Sequence, residues 1–413
     1  MKISFPRNFI FGTSTASYQI ETAVDHDWQG IRSRDGHVFD RTTDHEKRFI
    51  DDAKLIASLA PNYRMSLMWS KLQAEPLGKF DASVVQQYHL FLQTLVLNGV
   101  SIMMVLHHFT NPNWFSQRGG WEKEENIALW VDFCKKLIDE FGEYVSYWNT
   151  FNEPNVYASY GWVVGEFPPF KTNPVAAFKV VKNMGKGHDI VFDYIKSKFP
   201  DHPVGLSNNT TIFSYENFLG WIPAKLSDLW FMEFIPRHFE KCDFFGMSYY
   251  ARISHDPFPI TYIETPHKIK KLGKDHDDMW EYYPEGLGES MLRYWRLYKK
   301  PIIVTENGVC TSDDQRRTRA IQEYMRIIHQ TMNAGVDVRG YFYWSPWDNF
   351  EWHLGPTYRF GLYECDLKTK NRIKRPSADL FSKLAYSREI EIDSNLISAA
   401  INSPSLKPSL GNY

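Results

Sequence analysis

Eight short apolar segments recur along the chain, and helical spacing separates them. These segments are Phe9–Gly12, Arg64–Trp69, Ile102–Leu106, Val145–Thr150, Val204–Ser207, Phe244–Ser248, Ile302–Thr305 and Gly340–Trp344. Strands that alternate with helices form a parallel sheet, and eight such strands close a (β/α)8 barrel. The sequence therefore predicts an α/β fold with a single TIM barrel, whose active site lies at the C-terminal face of the strands.

Two of the intervening segments show the helical period clearly. Apolar residues recur at intervals of three and four at Phe49, Ala53, Ile56 and Ala60, and again at Ile321, Met325, Ile328 and Met332. Three glycines directly after helical segments are expected to end helices in the left-handed conformation. They stand in Asn98-Gly99, Phe141-Gly142 and Ala334-Gly335.

The 413 residues contain no internal repeat, low-complexity tract or linker that would divide them. Although this length is compatible with two domains, α/β barrels of this size commonly form one. We expect residues 1–386 to form the barrel. Residues 387–413, which end in Ser- and Pro-containing sequence, are expected to be a C-terminal extension of unknown role.

Charge and cysteine usage exclude several classes of function. The 47 Lys and Arg residues nearly balance the 49 Asp and Glu residues, which argues against a nucleic-acid partner. The four cysteines are far apart and have no metal-binding spacing, so neither a disulfide framework nor a metal site is expected. The N-terminus has no apolar leader and no run is long enough to span a membrane, so we expect a cytoplasmic protein without a membrane partner.

Two glutamates follow predicted strands in unusual surroundings. Glu153 ends the fourth strand and Glu306 ends the seventh, each after an apolar or aromatic run and each beside an Asn. A lone Glu at a strand end is usually solvated or ion-paired, but a charge in such apolar surroundings is costly. Because these strands lie across the barrel mouth, both carboxyl groups can face one pocket. Such a pair suits glycoside hydrolysis, in which one carboxyl is protonated by its partner's charge and the other attacks the sugar.

The motifs around both glutamates resemble those of glycoside hydrolase family 1, the β-glucosidase family. The resemblance runs from about Phe5 to Ala378 and includes the opening segment Phe5–Glu21, whose pattern is similar to the family's N-terminal signature. Further similar motifs are Phe151-Asn152-Glu153-Pro154, Thr305-Glu306-Asn307-Gly308, Tyr63-Arg64-Met65-Ser66, His108 to Pro112, and Trp344 to Trp352 followed by Arg359-Phe360-Gly361-Leu362.

The resemblance implies a retaining mechanism, with Glu153 as acid/base and Glu306 as nucleophile. Two carboxyl groups in these roles are expected about 5–5.5 Å apart. Asn152 is then implied to contact the sugar 2-hydroxyl, and Tyr250 to bond the nucleophile. Arg64 would support Glu306 by keeping it ionised, although a structural ion pair is the alternative for this arginine.

The resemblance also implies a set of sugar-binding residues. The hydroxyl contacts are Gln19, His108, Asn152, Glu351 and Trp352, and Trp344 is implied as the stacking surface. Ordinary core packing is the alternative for Trp344, and for His108 the alternatives are a buried core histidine or a metal ligand. No metal and no cofactor are expected, since the implied mechanism needs none. Other aromatic residues near strand ends, expected beside the sugar, are Phe109, Trp114 and Trp121.

Glu351 bears on the kind of sugar. Family members that act on 6-phosphorylated sugars are implied to have a small hydroxyl residue at this position, whereas a carboxylate would repel phosphate and accept bonds from neutral hydroxyls. We therefore expect unphosphorylated β-D-glucosides, with β-D-galactosides and β-D-fucosides as further substrates. The chain departs from the family pattern at Phe109, Ser248 and Pro356, and it is short for the family, which indicates trimmed loops and an open aglycone site.

Other functions remain open at this point. A transglycosylase would use the same glycosyl-enzyme intermediate, and a non-catalytic sugar-binding barrel would have lost one of the two glutamates. Retention of Glu153 also disfavours a thioglucosidase. The expected partner is a small β-glycoside or short oligosaccharide, and the sequence makes no prediction of oligomeric state.

Overall fold

A computed structural model describes residues 1–22, 24–38, 42–256, 261–263 and 266–393. In this part of the chain eight parallel strands close into a barrel in which sequence neighbours pair and the last strand pairs with the first. The predicted (β/α)8 barrel is therefore confirmed. The strands are β1 (Ile10–Ser14), β2 (Asn62–Ser66), β3 (Ser101–His107), β4 (Val145–Asn152), β5 (Val204–Asn209), β6 (Phe244–Tyr249), β7 (Ile302–Asn307) and β8 (Val338–Trp344).

The second strand is the one whose predicted position was wrong. It was expected at Arg64–Trp69 but occupies Asn62–Ser66, and a short helix, Trp69–Leu72, follows it. Leu67, Met68 and Trp69 are all buried, so the apolar run continues beyond the last strand residue. Apolar sequence indicates burial, but it does not show where pairing between strands ends.

Helices surround the barrel, and both helices predicted from apolar spacing are present. The longer ones are Phe49–Leu59, Ala82–Leu97, Ile127–Phe141, Pro174–Lys198, Trp221–Leu229, Glu285–Tyr298, Asp314–Asn333 and Pro376–Ser387. The shorter ones are Ser17–Ile20, Trp69–Leu72, Asn113–Gln117, Pro154–Ser159 and Pro266–Lys271. No helix in the described residues combines the length and the apolar character that crossing a membrane requires.

Two of the three expected helix-ending glycines have the left-handed conformation. Gly99 has φ of +78° and Gly335 has φ of +90°, as predicted. Gly142 does not: its φ is −59°, and it begins a 3-10 turn, Gly142–Tyr144. A Cβ at this position would lie 2.4 Å from the ring of Phe199, so the glycine permits close packing and not a left-handed turn.

Short strands outside the barrel join distant parts of the chain. Lys2–Ser4 pairs antiparallel with Glu389–Glu391, and Tyr363–Cys365 pairs with Arg372–Lys374. A further sheet at the top of the barrel is formed by Ile212–Tyr215, Arg252–Asp256 and Thr261–Ile263. Of the predicted C-terminal extension, residues 387–393 contain the strand that pairs with Lys2–Ser4, while residues 394–413 lie outside the described residues.

The loop after β8 is held in place by a buried ion pair. Arg375 donates from its two terminal nitrogens to the two carboxylate oxygens of Asp348, at 2.9 and 2.7 Å. The backbone nitrogen of Gly361 donates to Asp348 as well, at 2.8 Å. These contacts bind the loop to the start of the last helix, Pro376–Ser387. Since Glu351 and Trp352 are in this loop, their positions depend on the pair.

We expect Arg375→Met to lower the free energy of unfolding by about 3 kcal/mol, because it leaves the Asp348 carboxylate buried without its main cation. Thermal unfolding followed by circular dichroism measures the effect. The control is Lys374→Met, which removes a neighbouring ion pair to Asp379 whose side chains are half or more exposed and should change stability little. Equal melting temperatures for the two variants would contradict the assigned role of Arg375.

Candidate active site

A cavity opens at the C-terminal ends of the barrel strands. Eight of the sequence-predicted site residues line it: His108, Asn152, Glu153, Tyr250, Glu306, Trp344, Glu351 and Trp352. The other two, Gln19 and Arg64, are fully buried and contact residues of this lining. The fold thus brings together side chains from seven of the eight barrel strands and the segments that directly follow them.

Glu153 stands at the junction between β4 and the helix Pro154–Ser159. Its backbone is left-handed, with φ of +40°, and its amide donates to the carbonyl of Ser207 on β5 at 2.7 Å. The buried carboxyl accepts a hydrogen bond from the amide Nδ2 of Asn209 at 3.2 Å. Burial, followed by the charge of Glu306, raises the pKa of Glu153 to about 8. This carboxyl is therefore protonated at neutral pH.

Glu306 has a different set of neighbours. One oxygen accepts a hydrogen bond from the guanidinium of Arg64, and the other accepts one from the hydroxyl of Tyr250 at 3.0 Å. Nε2 of His108 lies 3.9 Å from the oxygen that Arg64 binds. Burial raises the pKa of Glu306, while the Arg64 charge and both hydrogen bonds oppose that rise. We infer from the direct guanidinium contact that Glu306 is the ionised member of the pair.

Arg64 joins strands on three sides of the barrel. Its fully buried guanidinium donates to Oγ of Ser14 on β1 at 2.9 Å and to Oδ1 of Asn152 on β4 at 2.6 Å, in addition to Glu306 on β7. Because an arginine remains charged at any relevant pH, this contact network puts a permanent positive charge beneath the cavity.

Gln19 and Glu351 form a second polar group at the cavity wall. Nε2 of Gln19 donates to the carbonyl of Phe350 at 2.8 Å and to carboxylate Oε2 of Glu351 at 3.2 Å. Burial, together with the charge of Glu306, raises the pKa of Glu351 to about 8. Glu351 is therefore mostly protonated at neutral pH, in contrast to the ionised carboxylate expected from the sequence, because burial and a second negative charge beside Glu306 both disfavour its ionised form.

Several buried polar atoms near the cavity have no hydrogen-bond partner among the described residues. They include Oε1 of Gln19 and Nδ1 of His108. Burial lowers the pKa of His108 well below its ordinary value, and the Arg64 charge adds to this effect, so the imidazole is neutral. Unpaired buried polar atoms are costly in a folded protein, and a polar ligand at this position would remove that cost.

The aromatic residues divide into two groups. The ring of Trp352 packs against His108 at a centroid distance of 5.9 Å and against Phe109 at 4.9 Å, and all three line the cavity. Trp114 and Trp121, which were expected beside the sugar, do not belong to this lining. Trp121 is fully buried, and Trp114 donates from its indole nitrogen to the carbonyl of Gln73. Proximity to a strand end in sequence does not show which way a side chain points.

Asn209 is the site residue that sequence reasoning missed. It ends β5 and pairs through its side chain with Glu153, and its oxygen accepts bonds from the backbone and hydroxyl of Thr211. The polar pair Asn208-Asn209 after an apolar strand was the available signal. Ser248, noted as a departure from the family pattern, is fully buried, and a hydrogen bond from its hydroxyl to Glu153 opposes the rise in the pKa of Glu153.

No group of three or more His, Cys, Asp or Glu side chains in the described ranges is arranged to hold a metal ion. The chemically capable groups of the cavity are thus its carboxyl groups. A barrel with two buried carboxyl groups of unequal charge at its C-terminal face has the arrangement used by enzymes that cleave glycosidic bonds. The separation of the Glu153 and Glu306 carboxyl groups, expected to be about 5–5.5 Å, stays a prediction.

Comparison with known proteins agrees with this class. The profile of glycosyl hydrolase family 1 matches residues 1–215 and 233–390. The chain therefore belongs to glycosyl hydrolase family 1, and it is a β-glycosidase.

Individual relatives cover nearly the whole chain. The solved structure of a β-glycosidase from Pyrococcus horikoshii is 31% identical, covers 97% of this chain and 98% of its own, and has a TM-score of 0.84. Beta-glucosidase A of Thermotoga maritima is 26% identical over 447 residues, which is 94% of this chain and 99% of the relative. A 6-phospho-beta-galactosidase of Clostridium acetobutylicum is also 26% identical, over 94% of this chain and 98% of the relative.

We expect Glu153→Gln to stabilise the protein at pH 8 but much less at pH 5. The pKa of this carboxyl is about 8 in the folded protein against an ordinary value of 4.5. Between these values the folded protein keeps a proton that the unfolded chain releases, so the wild type loses stability as pH rises through this window. A glutamine at this position does not titrate, so its contribution to stability does not change with pH. At pH 8 the variant should exceed the wild type in free energy of unfolding by about 2 kcal/mol or more.

Melting temperatures measured from pH 5 to pH 9 check this expectation. The matched control is Glu143→Gln, because Glu143 is exposed on the outside of the barrel. If the stability difference between Glu153→Gln and wild type does not change with pH, the raised pKa is wrong.

Proposed function

We propose that the protein is a retaining β-glycosidase that hydrolyses unphosphorylated β-D-glucosides, with β-D-galactosides and β-D-fucosides as further substrates. The observation that supports this most is the unequal environment of the two carboxyl groups. Glu306 contacts the guanidinium of Arg64 and is ionised, whereas Glu153 accepts hydrogen bonds from the neutral side chains of Asn209 and Ser248 and has a pKa of about 8. A retaining mechanism requires this division between nucleophile and acid.

In the first step, Glu153 donates its proton to the glycosidic oxygen as the bond from that oxygen to the anomeric carbon breaks. A carboxylate oxygen of Glu306 forms a bond to the same carbon from the opposite face. The covalent ester has no negative charge at Glu306. Since that charge is one cause of the raised pKa of Glu153, its loss lowers this pKa.

In the second step, the Glu153 carboxylate removes a proton from water, which attacks the anomeric carbon and releases Glu306 as a carboxylate. Two inversions at one carbon retain the β configuration. Return of the negative charge to Glu306 raises the pKa of Glu153 again, so the enzyme begins the next cycle with Glu153 protonated.

The remaining cavity residues suit a hexose. Trp344 presents a ring for the apolar face of the sugar. Gln19 Oε1 and His108 Nδ1 are buried polar atoms without partners among the described residues, and sugar hydroxyl groups would pair with them. Asn152, held through its oxygen by Arg64, retains its amide NH2 for the 2-hydroxyl, while Glu351 and the indole of Trp352 complete the hydroxyl contacts.

The preference for an unphosphorylated sugar rests on the charges around Glu351. A phosphate dianion bound there would face the Glu306 charge, and Glu351 itself would have to stay protonated. Like charges brought together in a buried site cost several kcal/mol. One relative of this chain is a 6-phospho-beta-galactosidase, so this preference distinguishes members within the family.

Glu306→Ala should lower kcat on 4-nitrophenyl β-D-glucoside by at least about a thousandfold, because the variant has no nucleophile. Azide should restore turnover in this variant and give the α-glycosyl azide, since azide enters from the face that Glu306 occupied. Product analysis by NMR measures the configuration. Glu143→Ala is the surface control, and unchanged turnover in Glu306→Ala would refute the assignment.

The wild type should prefer 4-nitrophenyl β-D-glucoside over its 6-phosphate by at least about a hundredfold in kcat/KM. Glu351→Ser should reduce this ratio by about tenfold or more, because it removes the carboxyl group that we assign to the sugar hydroxyls and puts a small hydroxyl side chain in its place. The ratio of the two kcat/KM values is the measurement. A wild type that prefers the 6-phosphate would contradict the proposed substrate class, even if both compounds are cleaved.

A further inference from the structure

An exposed apolar surface lies beside the cavity. It consists of Tyr215, Phe218, Leu219, Trp221, Ile222, Leu226 and Leu229, and we call it the entrance face. Phe218 is 84% exposed, Leu226 62% and Ile222 58%. In the helix Trp221–Leu229 only Ala224 is buried, so this helix turns apolar side chains toward solvent. Contiguous apolar surface of this kind usually marks an interaction site.

The entrance face is continuous with the wall of the cavity. Phe213 and Phe231 line the cavity and contact each other edge to face at a centroid distance of 5.1 Å. The helix Trp221–Leu229 packs on the strand that contains Phe213 and leads directly into Phe231. The same connected elements therefore present apolar side chains both to the cavity and to the outside of the protein.

This surface does not belong to the part of the chain that the family shares. The family match stops at residue 215 and resumes at residue 233, so six of the seven entrance-face residues lie in the unmatched segment. All the catalytic and sugar-binding candidates lie within the matched ranges. The entrance face thus lies mostly where this chain departs from the family profile.

Positive charge lies next to the apolar surface. Lys268, Lys270 and Lys271 are exposed on the short helix Pro266–Lys271. The helix is linked to the entrance face because Lys274, shortly after it, forms an ion pair with Glu216. The whole chain has a formal charge of −2, so this basic group is a local feature. Exposed apolar side chains flanked by lysines are typical of segments that lie on an anionic lipid surface.

We propose that the entrance face and the lysines of Pro266–Lys271 bind an anionic lipid surface. A second copy of the chain fits less well, because a symmetric contact would bring two sets of these lysines to one interface and cover the cavity mouth. The expectation of no membrane partner was based on the lack of a segment long enough to span a membrane. A protein that binds to the membrane surface does not require such a segment.

The proposal also names a substrate class, and this part rests on the proposed β-glycosidase function. A glycoside with a hydrocarbon aglycone would keep its chain in contact with lipid and with the apolar wall at Phe213 and Phe231 while its sugar occupies the polar end of the cavity. Little apolar surface would be exposed to water on the way from the lipid to the cavity.

Flotation with vesicles tests the surface directly. The wild type should float with vesicles of phosphatidylcholine and phosphatidylglycerol, and the combined variant Phe218→Ser, Ile222→Ser and Leu226→Ser should float at least tenfold less. The control combines Leu90→Ser, Leu97→Ser and Ile373→Ser, which changes equally many exposed apolar residues elsewhere and should float like the wild type. In the combined variant Lys268→Glu, Lys270→Glu and Lys271→Glu, flotation should no longer depend on the presence of phosphatidylglycerol in the vesicles.

Three results would overturn the lipid proposal. One is a wild type that does not float with the vesicles of phosphatidylcholine and phosphatidylglycerol. Another is a Phe218, Ile222 and Leu226 variant that floats as well as the wild type. The third is a wild type that is a dimer in light scattering and binds no vesicles, together with a Phe218, Ile222 and Leu226 variant that is a monomer. This result would assign the entrance face to a second copy of the chain.

Hydrolysis tests the substrate class separately. The Phe218, Ile222 and Leu226 variant should cleave dissolved 4-nitrophenyl β-D-glucoside like the wild type, but cleave dodecyl β-D-glucoside in vesicles at least tenfold more slowly. Equal rates on the vesicle substrate would refute the substrate class. Glu306→Ala should still float, so a protein that floats but cleaves neither glucoside would refute the proposed function and leave the lipid surface intact.

Discussion

The contact between Arg64 and Glu306 determines the charge state of the whole cavity. Arg64 is buried beneath the cavity, and its guanidinium reaches side chains on β1, β4 and β7. An unpaired guanidinium at this depth would destabilise the fold, so the barrel depends on its acceptors as much as the site depends on the cation. Burial, followed by the charge of the ionised Glu306, raises the pKa of both Glu153 and Glu351 and so favours their neutral forms.

The barrel was predictable because each strand is a short apolar run and each helix has a clear period. The apolar runs did not show where pairing between strands ends, and the second strand was therefore misplaced. They also did not show the packing around Gly142. Its close contact with Phe199 comes from a part of the chain more than fifty residues away. Such contacts between distant segments have no local signature.

Within the site, motifs identified the residues but not their surroundings. Asn209 was missed because its contact with Glu153 follows from the pairing of β4 with β5, where Asn152 lies opposite Ser207. The protonation of Glu351 could not be inferred either, because it depends on burial and on the distance to another carboxyl. Trp114 and Trp121 failed as candidates for the same reason: the direction of a side chain is decided by packing and not by its place in a motif.

Three residues that line the cavity have left-handed backbones although none is a glycine. These are Phe109, Glu153 and Trp352, with φ of +66°, +40° and +41°. Such conformations cost on the order of 1–3 kcal/mol each and persist where surrounding structure enforces them. Glycine would relieve the strain at each position and delete the side chain that lines the cavity. At Phe109 and Trp352 the loss of a buried ring costs more than the strain that glycine relieves. Selection for thermostability should therefore favour glycine at Glu153, and that variant should be inactive.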